Sequence, residues 1–375
     1  MDYRVFDTVA AKASLLGFGC MRFPQKGNEI DEAEAEKMID TAYAQGVNYF
    51  DTAYVYHDGK SENFTGRVLS KYRRDSYFLA TKLPCWLVQS VEDAERLFQE
   101  QLDRLGTDYI DFYLLHSLGE ESWNRMVELG ILSFCEELRK AGKIRYFGFS
   151  FHDEFSVFEK IASYRKWDFC QIQLNYIDTE TQAGMKGYLL TEKLGIPLVI
   201  MEPIKGGSLA NLPEDMVKIF AKVTPGASPA SFALRFIASL PNVKVILSGM
   251  STMEQLVENV SLFSPLSPLT DKERAAIEEV SAAIKSKVRN GCTNCRYCMP
   301  CPAGVDIPGN FALWNERAML NNVGAIRWFW GIGMQDKVKA KNCVGCGQCE
   351  ELCPQGLSIR DNLAVLQHEL DELCK

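Results

Sequence analysis

Up to about residue 285, short apolar runs alternate with stretches whose apolar residues recur at helical spacing. The runs are LLGFGCM (15–21), VNYFD (47–51), YFLATK (77–82), IDFYLLH (110–116), IRYFGFS (144–150), FCQIQLNY (169–176), PLVIME (197–202) and VKVILSG (243–249). Between them, DEAEAEKMIDTAYAQG (31–46) and VEDAERLFQEQLDRLG (91–106) each have an acidic start and a glycine stop, which predicts helices. Asp31 is the expected N-cap of the first, with Glu34 closing a capping box. Strands that are apolar throughout are buried on both faces, as in a parallel sheet flanked by helices. Eight such strand–helix units predict an α/β fold of the (β/α)8 TIM-barrel type, whose chemistry gathers at the C-terminal strand ends. An open doubly wound sheet is the alternative. No GxGxxG follows the first run, so a Rossmann dinucleotide site has no support. The opening DYRVFDTVAAKASLLGFG is expected to add a short hairpin that plugs the barrel bottom.

The pattern changes near residue 287. Of 13 cysteines, eight lie between Cys292 and Cys353. We therefore expect a barrel over residues 1–285 and a small, mainly helical, ferredoxin-like cysteine-rich domain over 286–375. The net charge of −8 argues against a nucleic-acid surface, which concentrates positive charge. No apolar run reaches the length of a membrane span, and the N-terminus lacks the basic flank and apolar stretch of a signal peptide. The expected location is the cytoplasm, where clustered cysteines point to metal rather than disulfides.

The two cysteine runs are Cys292-x2-Cys295-x2-Cys298-x2-Cys301-Pro and Cys343-x2-Cys346-x2-Cys349-x3-Cys353-Pro. The second is the ligand run of bacterial ferredoxins, in which the fourth cysteine of each run serves the other cluster. That rule places Cys292, Cys295, Cys298 and Cys353 on one [4Fe-4S] cluster. Cys343, Cys346, Cys349 and Cys301 would hold a second. Zinc is the alternative metal, since paired CxxC units also build tetrahedral sites. A single cluster is another, because the last gap of the first run is two residues rather than three. The 41 residues between the runs carry a predicted helix from Ile307 to about Leu320, long for a compact ferredoxin. Cys20, Cys85, Cys135, Cys170 and Cys374 need no special role, although Cys20 and Cys85 follow strand ends and are candidates to line a substrate bowl.

Ionisable residues fall at three consecutive strand ends. Asp51 ends the second run, with Tyr56 five residues on; Lys82 ends the third; His116 ends the fourth. Singly, each has an ordinary explanation as a cap, a surface aromatic, a strand-end lysine or a satisfied histidine. Jointly they point into one bowl. A phenol with a pKa near 10 is a poor acid at neutral pH, and a neighbouring ammonium favours the phenolate. That set suits carbonyl reduction, in which hydride reaches carbon and a proton reaches oxygen.

These segments carry a resemblance. GVNYFDTAYVYHDGKSE, FLATKLP and DFYLLHS resemble the aldo-keto reductase family around its catalytic residues. KIRYFGFSFHD, PLVIMEPIKGGSL and ILSGMSTMEQLVENV extend the likeness, in family order, over nearly the first 265 residues. The resemblance implies an NAD(P)H-dependent oxidoreductase in which Tyr56 donates the proton, Asp51 and Lys82 tune it, and His116 steers the carbonyl. It also implies that Ser150 and Gln171 hold the nicotinamide carboxamide and that Glu258 and Asn259 lie near the adenine. Met201 stands where many members stack an aromatic on the nicotinamide, and Gly249 belongs to the same cofactor set. Gln255 replaces the arginine with which NADPH-preferring members often bind the 2′-phosphate. Phe151 and His152 follow Ser150 where Ser-Asn is usual. Lys205, with Gly206 and Gly207, offers charge and backbone N–H groups to the pyrophosphate, or is a plain loop. CMPCPAGVDIP resembles the iron–sulfur branch of the same family. The expected substrate is a small carbonyl compound or sugar, and a redox partner protein is the candidate macromolecular partner. The competing function is an electron-transfer protein that uses the barrel as scaffold. Hydride moves two electrons and a cluster one, and no flavin signature is visible to connect them. Trp86 and Trp123 are candidate walls of the substrate bowl.

Overall fold

A computed structural model describes residues 1–9, 11–320 and 322–375. The chain divides into two compact units: Met1–Pro203 with Ser231–Leu269, and Ile204–Ala230 with Thr270–Lys375.

In the first unit, β1 (Tyr3–Phe6) and β2 (Ala11–Ser14) form an antiparallel hairpin. β3 (Leu16–Gly19) opens the barrel, and a small ribbon, β4 (Gln25–Lys26) and β5 (Glu29–Ile30), follows it. The remaining barrel strands are β6 (Tyr49–Asp51), β7 (Phe78–Leu83), β8 (Ile110–Leu118), β9 (Ile144–Phe151), β10 (Phe169–Gln173), β11 (Leu198–Met201) and β12 (Val243–Ser248). Eight parallel strands close in the order β10-β11-β12-β3-β6-β7-β8-β9. Each lies within its expected run, apart from one-residue or two-residue extensions of β7, β8 and β9.

Strand alternation explains how the barrel acquires a dry bottom and a polar top. Tyr49, Ala80, Phe112, Leu114, Phe169, Val199, Val245 and Leu247 form one buried cluster, joined by Phe6, Ala11 and Ala13 of the hairpin. The hairpin therefore fills the bottom of the barrel. Phe112 is the hub, with the rings of Phe6, Tyr49 and Phe169 each 5.0 Å away. Gly148 makes room for this layer, since a Cβ there would lie 2.5 Å from the Phe169 carbonyl oxygen. One alternation step further along each strand, the same inward face presents Asp51, Lys82, His116, Gln171, Met201 and Gly249.

Among the outer helices, α1 (Glu32–Ala44), α2 (Ser61–Leu69) and α3 (Val91–Leu105) follow β5, β6 and β7. Ser90 caps α3 by accepting from Asp93 N–H, and Gly106 ends it at φ 61°, where a glycine costs least. The capping box expected at Asp31 does not form. Asp31 occupies the cap position without a side-chain capping bond, and its carboxylate pairs with Lys26 at 2.9 Å instead. The carboxylate has a charged partner on the adjoining β4.

The second unit has no strand among its described residues. Helices Ile307–Met319 and Ile359–Cys374 pack Val305, Ile307, Phe311, Trp314, Ile326, Trp330, Leu363, Leu366 and Leu370 into a small core. Trp314 Nε1 donates to Glu369 at 2.8 Å and Trp330 Nε1 to Asp371 at 2.9 Å, so both indole N–H groups are satisfied. Among the described residues no helix is long and apolar enough to cross a membrane.

Candidate active site and cysteine centre

Register brings the four strand-end residues together. Asp51 pairs with Ala80 on β7, two residues before Lys82, and Lys82 pairs with Leu114 on β8, two before His116. Lys82 Nζ donates to Asp51 Oδ1 at 2.6 Å and to the Thr52 carbonyl at 2.8 Å. It lies 3.5 Å from the Tyr56 hydroxyl and 5.0 Å from that ring's centroid. The Tyr56 and His116 rings meet edge to face, with centroids 6.2 Å apart.

Burial sets the charge states. It pulls the Lys82 ammonium down, but Asp51 and Tyr56 more than reverse this and hold its pKa above the ordinary value. Burial raises the Asp51 carboxyl against the pull of Lys82. It also raises Tyr56, where Lys82 works in the opposite direction without prevailing. The expected net lowering of the tyrosine is thus not found, because desolvating the phenolate outweighs one ammonium at this distance. His116 is held well below its usual pKa by burial first, then by Lys82 and His152. Its Nδ1 is buried without a partner among the described residues. Burial thus favours the neutral ring.

Several supporting residues were invisible in the sequence pattern. Thr52 and Ser61 exchange a side-chain hydrogen bond of 2.9 Å, and Ser61 Oγ donates to the Cys20 carbonyl at 2.8 Å, closing the base of the loop that carries Tyr56. Buried Glu62 accepts from Thr81 and Gln101. Capping-type periodicity offered no signal for it, since its partners are 19 and 39 residues away. Trp86 lies 5.1 Å from His116, ring to ring, and is 42% exposed, so it stands at the rim of the bowl. Trp123 does not: it is buried against Tyr164 and Trp167. Cys20 and Cys85 are sealed, with thiols pushed up to about 12 by burial.

The cofactor candidates of the first unit line the same strand ends. Ser150 Oγ accepts from Ser117 N–H at 2.7 Å, which leaves its own proton free to donate. Gln171 Nε2 donates to Met201 Sδ at 3.4 Å, while its Oε1 is buried with no partner among the described residues. An orphaned amide oxygen costs free energy, and a carboxamide N–H would satisfy it. The nicotinamide of a dinucleotide therefore fits this donor set. Asn259 Nδ2 donates to Ser248 Oγ at 3.0 Å, and Gln255 Oε1 accepts from Ser251 N–H at 2.8 Å. Gln255 and Glu258 are exposed. Gly249 lies against Arg22, whose side chain would be 3.1 Å from an added Cβ. Lys205 belongs to the second unit, in a short 3-10 turn with Gly206 and Gly207.

In the second unit, Cys292 and Cys298 lie within electrostatic reach of Cys295 and of the distant Cys353. Cys349 is in the same relation to Cys343 and Cys346. Cys298, Cys301, Cys343, Cys346 and Cys349 border a cavity of about 40 Å³. Among the described residues no three His, Cys, Asp or Glu side chains converge as tightly as one ion would draw them. Cys295 and Cys346 are exposed and the other six half-buried. The all-thiol donor set fits iron–sulfur ligation. Two buried asparagines of one helix hold these runs in place. Asn315 Oδ1 accepts from Arg289 and Asn290 N–H, both at 2.9 Å, just before Cys292. Asn310 Oδ1 accepts from Ala340 N–H at 3.0 Å, just before Cys343.

Comparison with known proteins agrees with this architecture. The chain matches the aldo/keto reductase family over residues 15–282 and the 4Fe-4S dicluster domain over residues 291–357. It belongs to the aldo/keto reductase family and carries a C-terminal 4Fe-4S dicluster domain. It is 26% identical to the uncharacterized oxidoreductase YqkF of Bacillus subtilis, over 74% of this chain and 96% of that protein. It is 24% identical to L-galactose dehydrogenase of Arabidopsis thaliana, over 76% and 95% respectively. Among solved structures it resembles aldo-keto reductase AKR11C1 of Bacillus halodurans in its holo form, with a TM-score of 0.62 and 28% identity over 74% of this chain and 96% of that one.

Proposed function

We propose that the barrel catalyses NAD(P)H-dependent reduction of an aldehyde or ketone, or the reverse oxidation of an alcohol. The observation that carries this reading is the buried Lys82 ammonium, 2.6 Å from Asp51 and 3.5 Å from the Tyr56 hydroxyl. When bound, the dinucleotide supplies the hydride that reaches the carbonyl carbon. Tyr56 gives its phenolic proton to the carbonyl oxygen. Lys82 then stabilises the phenolate, and Asp51 keeps Lys82 charged and in place. Neutral His116 points the carbonyl oxygen toward Tyr56 by donating one N–H. Ser150 and Gln171 orient the carboxamide, with Met201 beside it; Asn259 and Glu258 serve the adenine end. Gln255 brings no positive charge for a 2′-phosphate, so NADH and NADPH are both admitted. We assign Cys292, Cys295, Cys298 and Cys353 to one [4Fe-4S] cluster and Cys301, Cys343, Cys346 and Cys349 to a second.

The test is oxidation of NADH and NADPH with a panel of aldehydes, ketones and sugars. Loss of general-acid catalysis predicts that Tyr56→Phe lowers kcat by about 10²–10⁴-fold, with cofactor binding retained. No turnover by cluster-loaded wild type on any member of the panel, or an unimpaired Tyr56→Phe, would overturn the reading.

A further inference from the structure

Opposite the bowl, behind the strand that carries Lys82, the first unit buries a second set of charged and polar groups. Glu62 is fully buried in the first turn of α2, directly after the loop that carries Tyr56. Its Oε1 accepts from Thr81 Oγ1 at 2.7 Å and from Gln101 Nε2 at 2.8 Å. Its Oε2 accepts from Arg104 Nη1 at 3.2 Å. Thr81 precedes Lys82 in β7, and Gln101 Nε2 also donates to the Lys82 carbonyl at 3.0 Å. Tyr113 on β8 fixes Gln101 from the other side through a 2.9 Å bond to its Oε1. Arg104 reaches back to the tyrosine loop, donating to the Tyr54 carbonyl at 3.4 Å and stacking 3.9 Å from the Tyr54 ring.

We infer that Glu62 is a positioning residue: its carboxylate ties the Tyr56 loop to the Lys82 strand and so sets the distance between the two groups. Stability alone does not call for it, because an apolar set of the same volume is often as stable as a buried ion pair. Every hydrogen-bond partner of Glu62 lies on α3 or on β7 beside Lys82. The helices are also locked together: a Cβ on Gly66 of α2 would lie 2.4 Å from the Leu105 carbonyl oxygen of α3. Burial raises the carboxyl of Glu62, and Thr81, Gln101 and Arg104 oppose this.

This inference rests on Tyr56 as proton donor, and its test separates the two. Glu62→Gln keeps the size of the side chain but points an amide donor at Thr81, Gln101 or Arg104. We expect kcat to fall by about 10²-fold, as for a displacement of about 1 Å in a catalytic group, with KM nearly unchanged. Tyr56 is faced by Lys82, Asp51, Cys20 and the His116 ring. As Lys82 draws away, the alkaline limb of the kcat profile should move to higher pH, which a merely structural loss would not cause. A crystal structure of the variant should show the Tyr56–Lys82 separation lengthened beyond 3.5 Å. Arg104→Met, at a side chain 24% exposed, should shift kcat and the limb in the same direction by less, and carries the test if Glu62→Gln does not fold. Wild-type kcat, an unmoved limb and an unchanged separation would overturn the inference. If Tyr56→Phe retains full turnover, the functional reading fails, and the crystallographic separation alone decides the role of Glu62.

Discussion

The two units of this chain prepare their chemistry in opposite ways. In the barrel unit, Asp51, Lys82 and His116 are positioned by strand register, and the Asp51–Lys82 ion pair is sealed from water at 3% and 0% side-chain exposure. A closed sheet and a plugged apolar floor hold them, so the charges are oriented by protein alone. In the cysteine-rich unit there is no sheet among the described residues, and the core beside the cysteines is a modest cluster around Phe311, Trp314 and Trp330. Its candidate ligands are half-buried or exposed, and five of them border a small cavity. A small helical core with few apolar residues seldom suffices alone, and metal binding is then part of the folding free energy. The proposed dinucleotide would enter a finished barrel, whereas the proposed clusters would complete the cysteine unit.

The strongest way to break that contrast is to remove the clusters. Anaerobic chelation of iron should abolish hydrogen-exchange protection in the helices Ile307–Met319 and Ile359–Cys374. Protection of β6, β7 and β8 should persist. If those two helices stay protected in the apo protein, the cysteine unit folds on its own core and the contrast is lost. The converse test is Phe112→Ala, which empties the hub of the barrel floor. It should cost about 3–5 kcal/mol, read by urea unfolding monitored in the barrel. Cluster absorbance should remain below the unfolding transition. A cost under about 1 kcal/mol would mean that the floor is not what holds the strand ends in register.

Much of this contrast was legible in the sequence, and what was missed has a common cause. Eight apolar runs gave eight strands, because a strand buried on both faces leaves a compact and unambiguous pattern. Asp51, Lys82 and His116 could be named because they end those runs and Tyr56 because it follows one closely, and the cysteines because their spacing is itself the chemistry. Glu62, Gln101 and Arg104 were not, nor were Asn310 and Asn315. Their function lies in partners far away in sequence, and a buried polar residue on a helix looks like an exposed one until the neighbouring layer is in place. The Asp31 cap failed for a related reason. Its competitor, Lys26, sits on a ribbon whose approach to the helix no local pattern encodes. Trp123 illustrates the limit for large side chains: its position after β8 was compatible with either face of the following helix, and the helix turned it inward to Tyr164 and Trp167.

The smallest expected effect probes whether the barrel site is as dry as the contrast requires. His116 is held well below its ordinary pKa, by burial first and then by Lys82 and His152. A histidine that stays neutral in the folded state while its unfolded counterpart takes up a proton below about pH 6.5 makes the unfolded state bind more protons there. Stability must therefore fall as pH drops through that value and be complete above it. For this one residue the loss between pH 7 and pH 5 is at most about 2 kcal/mol. His57 and His152 are shifted in the same direction by burial, so the total is not diagnostic and the difference from a His116→Gln variant is. The chain has four histidines, so the ring proton resonance lost in His116→Gln can be assigned directly. It should hold its position from pH 8 to pH 5.5 in the wild type, and wild type should lose more stability on acidification than the variant. A midpoint near 6.5 would place water around His116. The barrel would then, like the cysteine unit, depend on its ligand to complete the site.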